Sequence, residues 1–283
     1  MMKLFRLPKG QLLKTPEDSW HKLEEPCWDS LINRDDLHQH LITLADKSPV
    51  VEDPEALLQG EILPPIGSQE VWAAGVTYYS SQMARREEAE AAGGGDFYKR
   101  VYNAARPEIF FKATPARVVG PGQNIRIRRD SEWDVPEPEL TLFINSHEKI
   151  EGYSIGNDMS SRSIEGENPL YLPQAKTHDK CAGLGPCLYV PATPISLETS
   201  IFLRISRGGE LVFNGETQIN KMKRSLDELV GYLCRETSFE QGVFLMTGTG
   251  IVPTNEFTLK PGDVIEIEIP PIGVLKNIVE KAS

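Results

Sequence analysis

The run Val264-Ile265-Glu266-Ile267-Glu268-Ile269 alternates apolar and charged residues, the period-two pattern of a strand with one face buried and one wet. Short β-type runs recur at Arg117–Val119, Asn124–Ile127, Leu140–Ile144 and Ile201–Ile205. So many short strands after Val71 require a β-rich body, because each must bury a face against another layer. Helical signals are fewer. They fall at Ser80–Ala92, Phe97–Ala105 and Ser225–Arg235, where a serine cap precedes apolar Leu226, Leu229, Val230 and Leu233.

Residues 1–66 read as a small mixed unit. Thr15-Pro16-Glu17-Asp18 offers a capping hydroxyl and a first-turn proline, which predicts a short helix through Trp20 and Leu23; a second helix is expected around Asp36–Ala45. Leu63-Pro64-Pro65-Ile66-Gly67 removes backbone donors and fixes φ, so it breaks regular structure. The expected division is therefore 1–66, a small N-terminal domain, and 67–283, a β-rich catalytic domain. Glu87–Gly95 passes from helix formers into three glycines, a composition that predicts a mobile segment and a candidate lid over a site.

Thirty Lys and Arg against 41 Asp and Glu give a net charge of -11, which disfavours nucleic acid and acidic membranes as partners. No apolar run reaches the length of a membrane span and the first ten residues lack a signal-peptide pattern, so a cytoplasmic location is expected. Cys27, Cys181, Cys187 and Cys234 form no CxxC pair and read as reduced thiols. With no Cys–His spacing for zinc, a bound metal would take hard oxygen ligands, which points to magnesium, manganese or calcium.

Trp133 to Ile144 carries the most informative chemistry. On a strand, Glu137 and Glu139 project from one face while Pro138 points away. Adjacent anions require a proton on one of them or a cation between them; a solvated edge strand is the plainer alternative. Ile150–Asn157 reads as a second strand returning after the Asn145-Ser146-His147-Glu148 turn, and it delivers Asp158 at its end. Three carboxylates with open positions suit a magnesium ion that takes a chelating substrate. For Asp158 alone a strand-end turn residue remains the alternative.

The ordered blocks Gly75-Val76-Thr77-Tyr78, Phe110-Phe111-Lys112, Glu137-Pro138-Glu139-Leu140, Asn157-Asp158-Met159-Ser160-Ser161-Arg162, Lys176 with Asp179, Gly185-Pro186, Thr247-Gly248-Thr249 and Pro261-Gly262-Asp263 resemble the fumarylacetoacetate hydrolase superfamily. The resemblance covers nearly everything after residue 70. It implies an α+β, β-rich fold, a rolled mixed β-sandwich with a small N-terminal mixed domain. It also implies Mg2+ (Mn2+ or Ca2+ possible) held by Glu137, Glu139 and Asp158, a 2-oxo acid substrate, and a homodimer or homotetramer. Hydrolytic members carry a histidine three residues after the motif tyrosine, where this chain has Ser81. A hydroxyl does not titrate near neutrality as imidazole does, so the hydrolase reading is weakened.

The text around these blocks, including Ala105-Arg106-Pro107-Glu108-Ile109-Phe110-Phe111-Lys112 and Ile164-Glu165-Gly166-Glu167 through Gln174-Ala175-Lys176, looks like the 2-keto-3-deoxypentonate dehydratase subgroup. There the acid/base residues match Glu108 and Lys176, and the resemblance further implies that Thr249, Ser80, Ser81 and Arg162 line the substrate site. The implied reaction converts a 2-keto-3-deoxypentonate to 2-oxoglutarate semialdehyde in pentose catabolism. The alternatives are an acylpyruvate-type hydrolase or 2-oxo acid decarboxylase, and a non-catalytic metal-binding module. Without the resemblance, Glu108 reads as a solvated residue before a strand and Lys176 as a counter-ion to Asp179.

Overall fold

The computed structural model describes residues 1–80 and 100–282. Ser81 and the Glu87–Gly95 segment lie outside the described residues. The chain opens with β1 (Met2–Arg6), β2 (Gln11–Lys14) and β3 (Trp20–Leu23), then α1 (Trp28–Ile32), α2 (Leu37–Lys47) and α3 (Pro54–Leu58). There follow β4 (Glu70–Gly75), β5 (Glu108–Ala113), β6 (Val118–Val119), β7 (Asn124–Ile127), β8 (Asp134–Val135), β9 (Pro138–Ile144), β10 (Ile150–Asp158) and β11 (Ser160–Ser161). Helices α4 (Arg162–Glu167) and α5 (Leu172–Lys176) lead to β12 (Ala182–Val190), β13 (Ser200–Arg207) and β14 (Glu210–Gln218). The chain ends with α6 (Leu226–Leu233), β15 (Val243–Met246), β16 (Val264–Ile269) and β17 (Gly273–Lys281).

Among the described residues the large sheet runs β3-β2-β1-β12-β10-β9-β15-β4-β5, with β6 beside β12, and a smaller sheet runs β14-β13-β16-β17-β7. The sheets share one core: Leu140, Leu142, Ile144 and Ile155 of the large sheet meet Leu203, Ile205, Ile265, Ile267 and Leu275 of the small one. On the opposite face of the large sheet, Phe143, Leu184, Phe244 and Met246 pack with Leu31, Ile32, Leu37 and Leu41 of α1 and α2. Covered on both faces, β9 is buried at every position, and its apolar residues Leu140, Leu142, Phe143 and Ile144 fall on both faces of the strand. The alternation in β16 survives because its outer face is wet: Ile265, Ile267 and Ile269 are buried and their neighbours are not.

The large sheet is rolled. β5 stands four strands from β10 in the pairing order. Even so, the Lys112 carbonyl of β5 accepts from Thr177 Oγ1 at 3.2 Å, and Cys181, just before β12, packs its thiol on the same carbonyl. The curl brings the free edge of β5 back over the centre of the sheet and encloses one end of the face that α1 and α2 cover further along.

The expected strands at Asn124–Ile127 and Val264–Ile269 and the α6 helix appear where predicted, with Ser225 Oγ accepting the Glu228 N–H as N-cap. The helix expected through Trp20 and Leu23 is corrected to strand β3. Thr15–Ser19 closes a tight turn, with Thr15 N–H on the Ser19 carbonyl and Asp18 N–H on the Thr15 carbonyl. Pro16 therefore serves as a turn residue, a role its fixed φ suits equally well. Residues 1–66 hydrogen-bond into the large sheet through β1 and β12, so the N-terminal segment and the body share that sheet.

Candidate active site

The β9–β10 hairpin forms as the turn residues predict, with Gly156 opposite Glu139 and Asn157 opposite Pro138. The Asp158 N–H bonds the Glu137 carbonyl at 3.0 Å. Glu137, Glu139 and Asp158 thus rise from one end and one face of the sheet. All three are buried, and one oxygen of each lies within 4.8 Å of the others. The edge-strand alternative for the glutamates fails because β9 is central. Pro138 is tolerated there as the first residue of its strand.

Each carboxylate is held by a protein donor. Arg162 Nη2 donates to Glu137 Oε1 at 2.8 Å, the Gly248 N–H donates to Glu139 Oε2 at 2.6 Å, and Lys112 Nζ pairs with Asp158 Oδ1 at 2.6 Å. Lys176 Nζ bridges the inner oxygens, 2.7 Å from Glu137 Oε2 and 3.0 Å from Asp158 Oδ2, and reaches Ser160 Oγ at 2.6 Å and Glu165 Oε1 at 3.5 Å. Glu137, Glu139, Asp158 and Glu165 face Lys112, Lys176 and Arg162, all buried. With all four acids ionised these seven groups carry one negative charge in excess, which either a proton or a cation offsets. Burial first, and then the Asp158 and Glu137 charges, push the Glu139 carboxyl well above its usual range. Oxygen-only donors with surplus negative charge fit a small hard divalent ion.

Glu108 begins β5 opposite Gly75 of β4. Along β15, Met246 pairs with Ala73 on one side and Thr141 on the other. Continuing that register two residues sets Gly75, Gly248 and Glu139 in one row on one face. A Cβ at Gly75 would stand 2.1 Å from Glu108 Oε2, and one at Gly248, where φ is +94°, would stand 2.0 Å from Thr77 Oγ1. The glycines therefore empty the row between the two glutamates. The Glu108 carboxylate lies over β4 and that of Glu139 over β15, neighbouring strands about 4.8 Å apart.

Lys176 ends α5 and is buried, so its reading as a partner of Asp179 does not hold: Asp179 is exposed and lies 3.5 Å from Arg126. The Phe110 ring centre stands 5.8 Å from Lys176 Nζ. Arg162, expected to line the substrate site, braces Glu137 through Nη2, and its Nη1 donates to Glu165 Oε2 at 3.3 Å. Thr249 Oγ1 is engaged with the backbone of Ile251 at 3.2 Å, and Ser80 Oγ donates to the Gly250 carbonyl at 2.9 Å. Tyr78 is buried, and burial with the Glu139 charge keeps its phenol protonated. Val76, next to Gly75, holds φ at +52°, a strained conformation for a β-branched residue and one that collects at functional sites. Burial, with the Lys112 charge second, lowers the His178 imidazole to about 4, so it is neutral at pH 7.

In the sequence Lys112 and Glu165 sit inside longer motifs that do not single them out. A usable signal existed for Lys112: a lone charge within the apolar strand Ile109-Phe110-Phe111-Lys112-Ala113 is seldom buried without a partner. The Gly248 N–H has no such signal, because a backbone donor is invisible to residue type.

Residues 77–280 match the fumarylacetoacetate (FAA) hydrolase C-terminal family. A Haloferax volcanii protein named "Probable 2-keto-3-deoxyxylonate dehydratase" is 48% identical over 239 residues, 83% of this chain and 80% of that one. The "2-dehydro-3-deoxy-D-arabinonate dehydratase" of Saccharolobus solfataricus is 45% identical over 224 residues, covering 78% and 74%. A solved structure described as "2-keto-3-deoxy-D-arabinonate dehydratase complexed with magnesium and 2,5-dioxopentanoate" superposes with a TM-score of 0.83 at 35% identity, covering 99% of both chains. By its matched residues, its rolled sheet and its acidic triad, the chain belongs to the fumarylacetoacetate hydrolase C-terminal family.

Proposed function

We propose that this protein is a Mg2+-dependent dehydratase converting a 2-keto-3-deoxypentonate, foremost 2-keto-3-deoxy-D-arabinonate, to 2-oxoglutarate semialdehyde in pentose catabolism. Glu137, Glu139 and Asp158 are the metal ligands, and Glu108 and Lys176 are the proton-transfer pair. The observation that carries the reading is the gathering of three buried carboxylate oxygens within 4.8 Å beside the Lys176 ammonium. The solved dehydratase that superposes on the whole chain contains magnesium and 2,5-dioxopentanoate, the same compound as 2-oxoglutarate semialdehyde, which supports both the ion and the product. A non-catalytic metal module gives no reason to sink a lysine into the carboxylate cluster. The hydrolase alternative lacks a histidine at position 81 to activate water.

When bound, Mg2+ supplies Lewis acidity to the keto acid end of the substrate and so eases loss of a C3 proton. Glu108 and Lys176 then act as a pair: one takes the C3 proton, and the other gives a proton to the leaving C4 hydroxyl. Positioned transfer of this kind contributes about 10²–10⁴-fold each. The same pair moves a proton from C5 to C3, leaving an enol that becomes the C5 aldehyde; one water is lost overall. Thr249 and its neighbouring glycines receive the keto acid end, and Ser80 and Ser81 hold hydroxyls. Arg162 holds Glu137 in place. The glycines at 75 and 248 leave the room between Glu108 and Glu139 in which the substrate lies.

The test is to incubate the purified protein with Mg2+ and 2-keto-3-deoxy-D-arabinonate and identify products by NMR. A C5 aldehyde is expected; pyruvate-forming cleavage, or no turnover, refutes the assignment. Among the described residues no helix is long and apolar enough to cross a membrane. A cytoplasmic enzyme acting as a homodimer or homotetramer completes the proposal, and light scattering tests the assembly.

A further inference from the structure

In each of the three carboxylates one oxygen is engaged by a protein group, through a hydrogen bond in Glu137 and Glu139 and through an ion pair in Asp158. Glu137 Oε1 is taken by Arg162, Glu139 Oε2 by the Gly248 N–H and Asp158 Oδ1 by Lys112. Glu137 Oε2 and Asp158 Oδ2 meet at Lys176 Nζ. A carboxylate pinned through one oxygen is held in an orientation that favours ligation through the other and disfavours bidentate binding.

We infer that these pins select the metal: they hold the triad to three single-oxygen ligands and so favour a six-coordinate ion such as Mg2+ over Ca2+, with Lys112 as the decisive positioning residue. The inference rests on the metal reading of the triad and adds to it a reason for selectivity. Mg2+ demands octahedral geometry with few protein ligands and keeps several positions for water or substrate, whereas Ca2+ takes six to eight oxygens and readily binds carboxylates through both. Three single-oxygen ligands leave half an octahedron open, enough for a chelating oxo acid and one water.

Lys112 is built for this task. It reaches Asp158 across the roll of the sheet, from β5 to β10, and is fully buried. An ammonium has three donors. Besides its ion pair with Asp158 Oδ1, it donates hydrogen bonds to the Met159 carbonyl at 2.9 Å and to the Lys176 carbonyl at the end of α5. Held by two hydrogen bonds and one ion pair to three different residues, it is fixed in place, so the Asp158 carboxylate cannot rotate without losing a buried ion pair. The Gly248 pin is backbone and equally fixed. Arg162 is itself tied to Glu165.

The test is isothermal titration of metal-free wild type and Lys112→Met with MgCl2 and with CaCl2, with circular dichroism as a check on folding. Wild type is expected to prefer Mg2+. In Lys112→Met the preference should move toward Ca2+ by about 10–100-fold, the scale on which ligand-orienting partners act, because Asp158 then presents both oxygens. Equal shifts for both ions would mean that Lys112 acts by charge alone and would overturn the inference. So would a wild-type preference for Ca2+. Binding of neither ion to wild type would overturn the metal reading itself, an outcome distinct from both. Should Lys112→Met fail to fold, a crystal structure of Ca2+-loaded wild type decides: Asp158 Oδ1 still on Lys112 supports the inference, and bidentate Asp158 overturns it.

Discussion

Replacing Glu139 by Gln separates the two costs the site balances. The side chain is buried beside two more carboxylates whose ligand atoms lie within 4.8 Å. At an effective dielectric constant of 20, two unit charges at that separation repel by about 3.5 kcal/mol. Two such repulsions act on Glu139, and the Lys176 charge cancels about one. The carboxyl can instead take a proton, which at pH 7 costs at most about 3.7 kcal/mol for a group whose unfolded value is near 4.3. By either route the metal-free protein carries about 3 kcal/mol of strain that Gln removes, while its amide oxygen still accepts from the Gly248 N–H. Unfolding entropy for 283 residues is about 0.6 kcal/mol/K, so in EDTA the variant should melt about 5 °C above wild type by calorimetry. Magnesium at a hundred times the wild-type Kd stabilises wild type by about 2.7 kcal/mol, or 4–5 °C. A variant that binds the ion about a hundredfold more weakly gains under about 1 °C, so the gap closes. A variant less stable than wild type in EDTA would refute the reasoning, because the carboxylates would not then be repelling one another.

Four further outcomes are expected. Glu108→Gln and Lys176→Met should each lower kcat at least about 10²-fold; Glu108→Gln should leave Mg2+ affinity unchanged by titration calorimetry, and a loss of affinity would make Glu108 a ligand. Gly248→Ala places a Cβ 2.0 Å from Thr77 Oγ1 and 3.0 Å from the Ala74 carbonyl. A loss of about 1–3 kcal/mol in urea unfolding is expected, and wild-type stability would show that the loop relaxes freely. On β17, hydrogen bonds from Lys180 and Asn124 lower the Glu280 carboxyl to about 2. A depressed carboxylate stabilises the fold above its unfolded value near 4.3, and that stabilisation disappears as pH falls toward 2. For this partly exposed side chain Glu280→Gln should cost about 1 kcal/mol at pH 7 and nothing at pH 2; a difference independent of pH would refute the assignment.

Local physics made parts of this molecule readable before its fold was known. Val264–Ile269 alternates because only one of its faces is packed, and the Asn145–Glu148 turn closes the β9–β10 hairpin. The one-residue register shift between Ile150 and Gly152, which sets the face that Asp158 takes, has no such local signal. Thr15-Pro16-Glu17-Asp18 misled because Pro16 serves a tight turn and a first helical turn equally, and only the pairing of Trp20–Leu23 with Gln11–Lys14 decides between them. The roll of the large sheet left no local trace. It depends on contacts such as Lys112 to Asp158, whose residues lie far apart in the chain and on strands that do not pair. For that reason Lys112, which pairs with Asp158, carries no site signal of its own in the sequence, whereas Glu137 and Glu139, two residues apart at the start of β9, do.

Three side chains sharing one hard ion is the claim on which the chemistry depends, and crystals grown with MnCl2 test it most directly. Anomalous scattering at the manganese edge should give one strong peak per chain, bounded by a single oxygen from each of Glu137, Glu139 and Asp158. A peak elsewhere, or none at that position at saturating Mn2+, would contradict the account.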